Sequence, residues 1–375
     1  QGIESWDAHT GAIGPVAFEG SSDALRTRFS LPPCGSTLLF FTKGRTEARA
    51  PASATWQRLA PLGVMSARRA GSNVLTLDFV DVAANGKGMT SAYCPAASDF
   101  VFQQYGLHGN PSNKGVQFRD EWLKKSFPDG SGFQATYRFH IDGEPPNRLQ
   151  AVVERADLYK IQCNGKPVAP TADAHWLEKA FSVIDISAAA VPGSNALTIA
   201  CAPLTIYHEL EPAYLLGDFV LRPAASGFTI VASSDQLTEA TAKWAAAGLP
   251  LYGNDIAYSQ DFRIDEPAGR YRVELPAWNG SVARVRVNGE LAGYIGWQPY
   301  ELDVSRQMRP GQNKIEVILS GTLKNTFGPH HMPGIRGIAS PGHLSKGPKT
   351  GPPPGNDYDV IGYGLFAPFV LSRAP

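Results

Sequence analysis

The chain has 375 residues, of which 43% are hydrophobic, and its 34 basic and 34 acidic side chains give a formal net charge of zero. This length exceeds one ordinary domain and fits two or three, while the balanced charge argues against nucleic acid or an anionic membrane as a partner. No stretch reaches the roughly 20 apolar residues of a membrane-spanning helix. The 38 glycines and 30 prolines favour many short strands joined by turns.

Residues 1–115 are predicted to form an N-terminal β region. The segment 22–44 reads as two strands around a Pro-Pro turn, and 73–88 reads as a strand followed by an Asn-Gly turn. We interpret this region as the end of a preceding β domain together with strands that feed the next domain. The opening residues are more typical of the interior of a longer protein than of a mature terminus.

An internal repeat is the most informative feature of the remaining chain. It predicts a first jelly-roll sandwich at 116–225 and a second at 226–375, the second with an insertion at 321–360. The insertion is rich in Gly, Pro, His and Lys, so we expect a loop whose deletion leaves both sandwiches folded. Matching landmarks recur at nearly constant spacing, namely Asn164 with Asn288, Asp185 with Asp303, and Gly193 with Gly311.

The repeated landmarks include two kinds of turn signal. Asn-Gly pairs at 164–165 and 288–289 separate alternating apolar runs, which indicates hairpins because both residues tolerate positive φ. Pro-Gly pairs at 192–193 and 310–311 precede β-branched, alternating runs. The pattern therefore predicts an all-β protein made of tandem antiparallel sandwiches. The strongest helix prediction is 233–248, which would connect the two sandwiches.

The four cysteines are Cys34, Cys94, Cys163 and Cys201, and none forms a C-x-x-C pair. Structural zinc is therefore not expected, and no metal ligands are assigned. Cys163 and Cys201 lie in two predicted strands of one sandwich. They either form a disulfide or remain buried free thiols, so the cysteines do not define the redox compartment.

The catalytic candidates are few and weak. Glycoside hydrolysis needs two carboxylates on either side of the scissile bond, and Glu209 and Glu211 in the segment 208–212 form a local pair. The alternative is a pair at a strand end that shapes an edge or meets a neighbouring domain. His330 is the third candidate, at the start of the insertion. Its neighbour His331 is a candidate substrate contact, and the alternatives for both histidines are a structural or interdomain role and a metal site.

Aromatic residues around the second Asn-Gly hairpin are the candidate carbohydrate-binding surface. Flat rings pack against the apolar C–H face of a pyranose, and the alternative is that these rings fill the sandwich or cover its rim. The set consists of Trp278, Tyr294, Trp297 and Tyr300, with His331 added from the insertion. A smaller set in the first copy consists of Asp173, His175 and Trp176.

The order of these motifs resembles the sugar-binding-like jelly roll of family two glycoside hydrolases. That module has a V-x-V-N-G-x-x-x-G hairpin, then P-Y-x-x-D-V, then P-G-x-N-x-I-x-V. The segments 209–219, 249–262 and 321–331 are also similar to the C-terminal region of large bacterial α-L-rhamnosidase-like enzymes. The resemblance covers roughly 1–330 and 360–371. The residues that match the hairpin module are Val287, Asn288, Gly289, Gly293, Pro299, Tyr300, Asp303, Pro310, Gly311 and Asn313.

The resemblance implies galactose-binding-type sandwiches, a glycan and a catalytic domain as partners, and a periplasmic or extracellular bacterial location. It implies no cofactor, although sandwiches of this type often carry a structural calcium ion. The catalytic carboxylates of such enzymes lie on a (β/α) barrel, and the sequence does not show its alternating strand–helix units.

We therefore expect a non-catalytic accessory β-sandwich region of a glycoside hydrolase, which braces the catalytic barrel and contacts glycan. Whether this chain is itself an enzyme stays open at this point. The alternatives are a stand-alone carbohydrate-binding protein, which requires an exposed aromatic platform, and a structural or adhesion module in which both sandwiches mediate protein contacts. Large exposed apolar patches would favour a docking role.

Overall fold

The computed structural model describes residues 2–8, 11–20, 24–31, 33, 35–43, 55–111, 115, 120–335 and 339–375. Their strands pair almost entirely antiparallel, which confirms the all-β prediction. The strands are β1 (Gly2–Trp6), β2 (Ile13–Pro15), β3 (Phe18–Gly20), β4 (Leu25–Thr27), β5 (Leu38–Thr42), β6 (Gln57–Arg58), β7 (Ser66–Arg69), β8 (Asn73–Leu77), β9 (Phe79–Ala84), β10 (Lys87–Tyr93), β11 (Phe133–Asp142), β12 (Leu149–Glu154), β13 (Lys160–Cys163), β14 (Lys166–Val168), β15 (His175–Trp176), β16 (Glu178–Asp185), β17 (Gly193–Cys201), β18 (Ala213–Gly217), β19 (Phe219–Pro223), β20 (Phe228–Ala232), β21 (Asp255–Ile264), β22 (Arg270–Glu274), β23 (Trp278–Asn279), β24 (Val282–Val287), β25 (Glu290–Ile295), β26 (Glu301–Asp303), β27 (Gly311–Ser320), β28 (Gly364–Leu365) and β29 (Val370–Ala374).

Helical segments are short. The helices are α1 (Cys94–Gln104), α2 (Lys324–Phe327) and α3 (Pro341–Leu344), with 3₁₀ turns at Trp122–Lys124, Ala156–Leu158, Ser305–Gln307 and Gly355–Asp357. In the described ranges, no helix is long and apolar enough to cross a membrane.

The first sandwich packs two sheets around one core. One sheet has the order β10-β9-β11-β17-β13-β14, with β20 pairing both β11 and β19, and the other has the order β15-β16-β12-β18-β8. Strand β11 shows the expected period of two, because buried residues such as Tyr137 and Ile141 alternate with more exposed ones. Leu215 on β18 contributes to the same core from the opposite sheet.

The second sandwich repeats this arrangement around a separate core. Its sheets have the orders β25-β24-β27-β21-β7 and β26-β22-β29-β6. Tyr258 and Val317 enter the core from the first of these sheets, and Val273 and Leu371 enter it from the second. All four side chains are completely buried.

The segment 55–93 joins the two sandwiches. Its first strands, β6 and β7, pair with β29 and β21 of the second sandwich, whereas β8 to β10 complete both sheets of the first. The first sandwich therefore takes up strands from Asn73 onwards, in addition to the predicted range 116–225. Residues 116–119, at the predicted start of that range, lie outside the described residues.

The repeated asparagines form the same hydrogen-bonded clip in each sandwich. Asn195 Nδ2 donates to two main-chain carbonyls of the preceding turn, and its Oδ1 accepts a 2.7 Å bond from Asn164 Nδ2. Asn313 does the same in the second copy, where its Oδ1 accepts a 2.9 Å bond from Asn288 Nδ2. The Asn-Gly hairpin is thereby tied to the Pro-Gly turn.

The repeated aspartates form a second shared element. Asp185 Oδ1 accepts the main-chain N–H of Ser187 at 2.9 Å, and Asp303 Oδ1 accepts that of Ser305 at 2.9 Å. Each serine hydroxyl then accepts a main-chain N–H from a neighbouring strand, from Leu149 in the first copy and Tyr271 in the second. The asparagines and the aspartate in the motifs that carry the family resemblance therefore have a structural role in the sandwich.

The insertion at 321–360 is not the detached loop that the sequence predicts. Thr76 Oγ1 on β8 donates a 2.7 Å hydrogen bond to the carbonyl of Thr326. The Phe327 ring packs on rings of the first sandwich, including Tyr214 at a 5.5 Å centroid separation. Tyr358 belongs to the first core. The segment therefore packs into the first sandwich, which argues against its being dispensable, and the outcome of deleting it stays a prediction.

One local expectation changes in the structure, and one open alternative is decided. The segment 233–248 forms turns instead of a helix, because Trp244 is buried in the second core and the carbonyl of Gly248 accepts a hydrogen bond from the Asn73 side chain. Cys94, Cys163 and Cys201 are buried free thiols. Cys34 lies outside the described residues.

Candidate functional site

Glu209 and Glu211 lie in the loop before β18, not on a strand. The main chain of this loop is held by two buried tyrosines. Tyr159 Oη donates to the carbonyl of Glu209 at 2.7 Å, and Tyr137 Oη donates to the carbonyl of Glu211 at 2.5 Å. His208 adds a further tie, with Nε2 at 3.1 Å from the carbonyl of Leu158. The loop is therefore rigidly placed, while both carboxylates extend from it.

A third carboxylate, Glu154 at the end of β12, completes the cluster. Burial raises the pKa of Glu211 to about 8, and repulsion from Glu209 and Glu154 adds to the effect. Burial likewise raises the pKa of Glu209, with a contribution from Glu154. Burial and repulsion from Glu178 raise the pKa of Glu154. Glu211 is consequently protonated in much of the population at neutral pH.

Aromatic rings border this acidic cluster. Trp176 packs against Tyr214 at a 5.2 Å centroid separation, and the pKa of the Tyr214 hydroxyl is raised by burial and by the charge of Glu211. His175 is exposed on the same short strand, and Asp173 adopts a positive φ of 57° in the turn before it. A protonated carboxyl group beside ionisable carboxylates and rings can donate a proton or bind sugar hydroxyls.

His330 and His331 occupy a different place, between the insertion and the first sandwich. His331 Nε2 lies 2.8 Å from Asp78 Oδ2, and Tyr358 Oη donates to Asp78 Oδ1 at 3.3 Å. His330 Nε2 lies 2.9 Å from the carbonyl of Asn325, and burial lowers the pKa of His330. Both histidine side chains are only 3% exposed. The structure therefore places them in a buried clasp that holds the insertion, away from the aromatic set to which His331 was assigned.

The structure divides the predicted aromatic surface into two pairs. Trp278 and Tyr300 pack edge to face at 5.2 Å and lean on the second core. Tyr294 on β25 is 45% exposed, and Trp297 in the loop that follows is 66% exposed. Tyr294 and Trp297 are thus presented to solvent, whereas the other two mainly cover the rim of the sandwich.

No group of three or more His, Cys, Asp or Glu side chains is arranged to hold a metal ion within the part of the chain that the structure describes. The expected lack of a cofactor and the open question of structural calcium remain predictions.

Two residues of interest, Glu154 and Arg69, are not apparent from the sequence alone. Glu154 ends an apolar strand, and only the three-dimensional structure places it beside the loop that carries Glu209 and Glu211. Arg69, a buried arginine at the junction of the sandwiches, was also missed. The available signal was that Arg69 falls on the same face of its strand as the apolar Ala67, since charged residues are seldom fully buried without a role.

Comparisons with known proteins give only distant similarities. No protein-family model and no curated protein matches the chain. Among solved structures, a rhamnosidase from Novosphingobium sp. PP1Y is 18% identical, with a TM-score of 0.27 over 66% of this chain and 23% of that one. An α-L-rhamnosidase from Streptomyces avermitilis, complexed with L-rhamnose, is 12% identical, with a TM-score of 0.27 over 85% of this chain and 27% of that one.

A β-D-mannosidase from Dictyoglomus thermophilum is 12% identical, with a TM-score of 0.26 over 66% of this chain and 31% of that one. This chain thus spans about a quarter to a third of the length of these enzymes. At these TM-scores, the similarity assigns neither an activity nor a site residue to the chain.

Proposed function

We propose that the chain is a non-catalytic accessory region of a glycoside hydrolase, which packs against the catalytic barrel and contacts glycan beside it. The motif order of the second sandwich supports this family assignment, and the structure gives those motifs a coherent role in the sandwich. The proposal further places the protein in the bacterial periplasm or outside the cell, with glycan and the barrel as its partners.

An exposed apolar face on the three-stranded N-terminal sheet, which has the order β2-β1-β5, carries the proposal. Antiparallel pairing sets Trp6 opposite both Ile13 and Leu38, so these side chains share one face with Phe40. Their exposed fractions are 39%, 56%, 50% and 42%, respectively. We call these four residues the apolar face.

The apolar face has the character of a docking surface. The Trp6 and Phe40 rings lie 4.4 Å apart between centroids, so the face is continuous and not a set of scattered side chains. Of the residues described between 2 and 43, none belongs to either core cluster. Contiguous exposed apolar surface on a soluble protein usually marks an interaction site. A catalytic barrel, which presents its outer helices to neighbouring domains, is the partner that the family resemblance implies.

The test is reconstitution with the catalytic barrel of the same enzyme, produced as a separate chain. We expect Ile13→Asp and Leu38→Asp to weaken the complex at least tenfold in sedimentation or calorimetry, since each buries a charge in the interface. Val64→Asp is the matched control, because Val64 is 97% exposed and lies outside this sheet. An unchanged affinity in both face variants would refute the docking role.

A stand-alone carbohydrate-binding protein is the second candidate. The exposed rings of Tyr294 and Trp297 favour it, because sugar-binding surfaces use solvent-accessible aromatic platforms. In that case, the purified chain would bind glycans in the absence of any barrel. Trp297→Ala would then abolish binding, whereas Ile13→Asp would leave it unchanged.

A further inference from the structure

A cleft of about 750 Å³ with a mixed polar and apolar lining lies where the two sandwiches meet. One wall comes from the end of β7 and the link to β8, including Arg68 and Arg69, and the other comes from the loop 144–148 before β12. The segment 232–235 closes one side. This volume is within the range of small-molecule sites, which often form between domains.

The walls of the cleft alternate positive and negative groups. Arg68 Nε lies 2.6 Å from Asp235 Oδ2, and an Arg148 nitrogen lies 2.9 Å from Asp218 Oδ1. These exposed pairs hold each other's side chains in place while leaving further donors and acceptors towards the cleft. Such donor–acceptor pairs suit the vicinal hydroxyl groups of a sugar.

Arg69 differs from the other two arginines because it is buried and lacks a carboxylate partner among the described residues. It is 3% exposed, and its guanidinium donates to the carbonyls of Gly71 at 3.3 Å and Ser234 at 3.0 Å. Burial lowers the pKa of Arg69, and the charges of Asp218 and Asp235 oppose this shift without forming a direct ion pair. A guanidinium has five N–H donors, of which these two carbonyls accept two. The lining of the cleft as a whole is balanced in charge, with Arg68, Arg69 and Arg148 against Glu144, Asp218 and Asp235.

We propose that this cleft binds a uronic acid residue of a glycan, with the carboxylate on Arg69 and the hydroxyls on the flanking Arg–Asp pairs. The anion requirement follows from Arg69 alone, whereas the choice of a sugar acid rests on the proposed function. A buried guanidinium that meets a carboxylate forms a charge-assisted and often bidentate interaction.

Calorimetric titration of the full chain tests this site with four probes, namely methyl glucuronoside, methyl galacturonoside, methyl glucoside and inorganic phosphate. We expect at least one uronoside to bind about tenfold or more tightly than methyl glucoside, because only the uronosides present a charged partner to Arg69. Equal binding of uronosides and methyl glucoside, or no uronoside binding, would overturn the proposal. Tighter binding of phosphate than of either uronoside would overturn its sugar component.

Variants locate the binding event. Arg69→Lys keeps the charge but loses the planar fork, and we expect about tenfold weaker uronoside binding. Arg138→Lys is its control, because Arg138 forms a similar exposed pair with Asp81 at 2.6 Å outside the cleft. If Arg69→Lys fails to fold, Asn147→Trp obstructs the exposed rim without removing a buried group. Unchanged uronoside binding in Asn147→Trp would refute the assignment, independently of the docking experiment on the apolar face.

Discussion

Replacing Glu211 with glutamine should stabilise the protein at alkaline pH. The folded state raises the pKa of this carboxyl group from its ordinary 4.5 to about 8, mainly through burial. Between these two values, the folded protein holds a proton that the unfolded chain releases, so wild-type stability falls as the pH rises through this window. The glutamine variant has no proton to lose at this position and should lack this decline.

The magnitude follows from the two pKa values. At roughly 1.4 kcal/mol per pH unit, the difference between 4.5 and about 8 corresponds to at most about 5 kcal/mol at pH 9. Urea unfolding of wild type and Glu211→Gln at a series of pH values from 4.5 to 9, at fixed ionic strength, measures this directly. We expect near-equal stability at pH 4.5 and a more stable variant, by several kcal/mol, at pH 9.

The exposed Glu144 provides the matched control, since Glu144→Gln removes a carboxylate that is accessible to solvent. This control should follow the wild-type pH profile. A stability difference between wild type and Glu211→Gln that does not change with pH would refute the role assigned to burial and to the neighbouring glutamates. A variant less stable than wild type at pH 9 would refute it more strongly.

Two further predictions concern the residues that hold the sandwiches together. Asn313→Ala removes hydrogen bonds to two carbonyls, one main-chain N–H and Asn288, so we expect the free energy of unfolding in urea to fall by about 3 kcal/mol. Gln312→Ala, at the exposed neighbouring position, is the control and should be nearly neutral. Equal effects of the two substitutions would contradict the structural role of the clip. Phe327→Ala should destabilise the first sandwich by about 2 kcal/mol, because its ring packs on three rings there. A thermal scan with an unchanged unfolding temperature would mean that the insertion does not support that sandwich.

The strands and turns of the repeat were predictable because local chemistry determines them. Asn164 and Asn288 adopt φ values of 50° and 53°, a conformation that asparagine tolerates, and each is followed by a glycine that also has positive φ. Alternating apolar residues then fix which face of each strand is buried. The asparagine partners Asn195 and Asn313 were visible as repeat landmarks, but their hydrogen bonds depend on the folded turn.

The features that depend on distant contacts were not predictable. The insertion looks like a loop because it is rich in Gly and Pro, yet Tyr358 is buried in the core of the preceding sandwich. The segment 233–248 has helical propensity, but burial of Trp244 against the second core outweighs it. Helix α1 was missed because its sequence carries no acidic first turn and no side-chain cap.

In the candidate site as well, features set by the local sequence were predictable, and features set by distant contacts were not. The local pair Glu209 and Glu211 was recognisable from spacing, whereas Glu154 reaches them only through the pairing of β12 with β18. The clasp of His331 with Asp78 joins residues that are far apart in sequence. Arg69 required the knowledge that two sandwiches meet around it.

The most direct test of the central claim is a hydrolysis assay of the purified chain, alone and together with the catalytic barrel that we propose as its partner. Rhamnose-, galactose- and glucuronate-containing glycans are the substrates, and release of reducing sugar is the readout. We predict that the chain alone does not hydrolyse these glycans. In the mixture, we predict hydrolysis at the same rate with the wild-type chain and with Glu211→Gln. Hydrolysis by the chain alone that Glu211→Gln abolishes would contradict the accessory role and make the carboxylate cluster an active site.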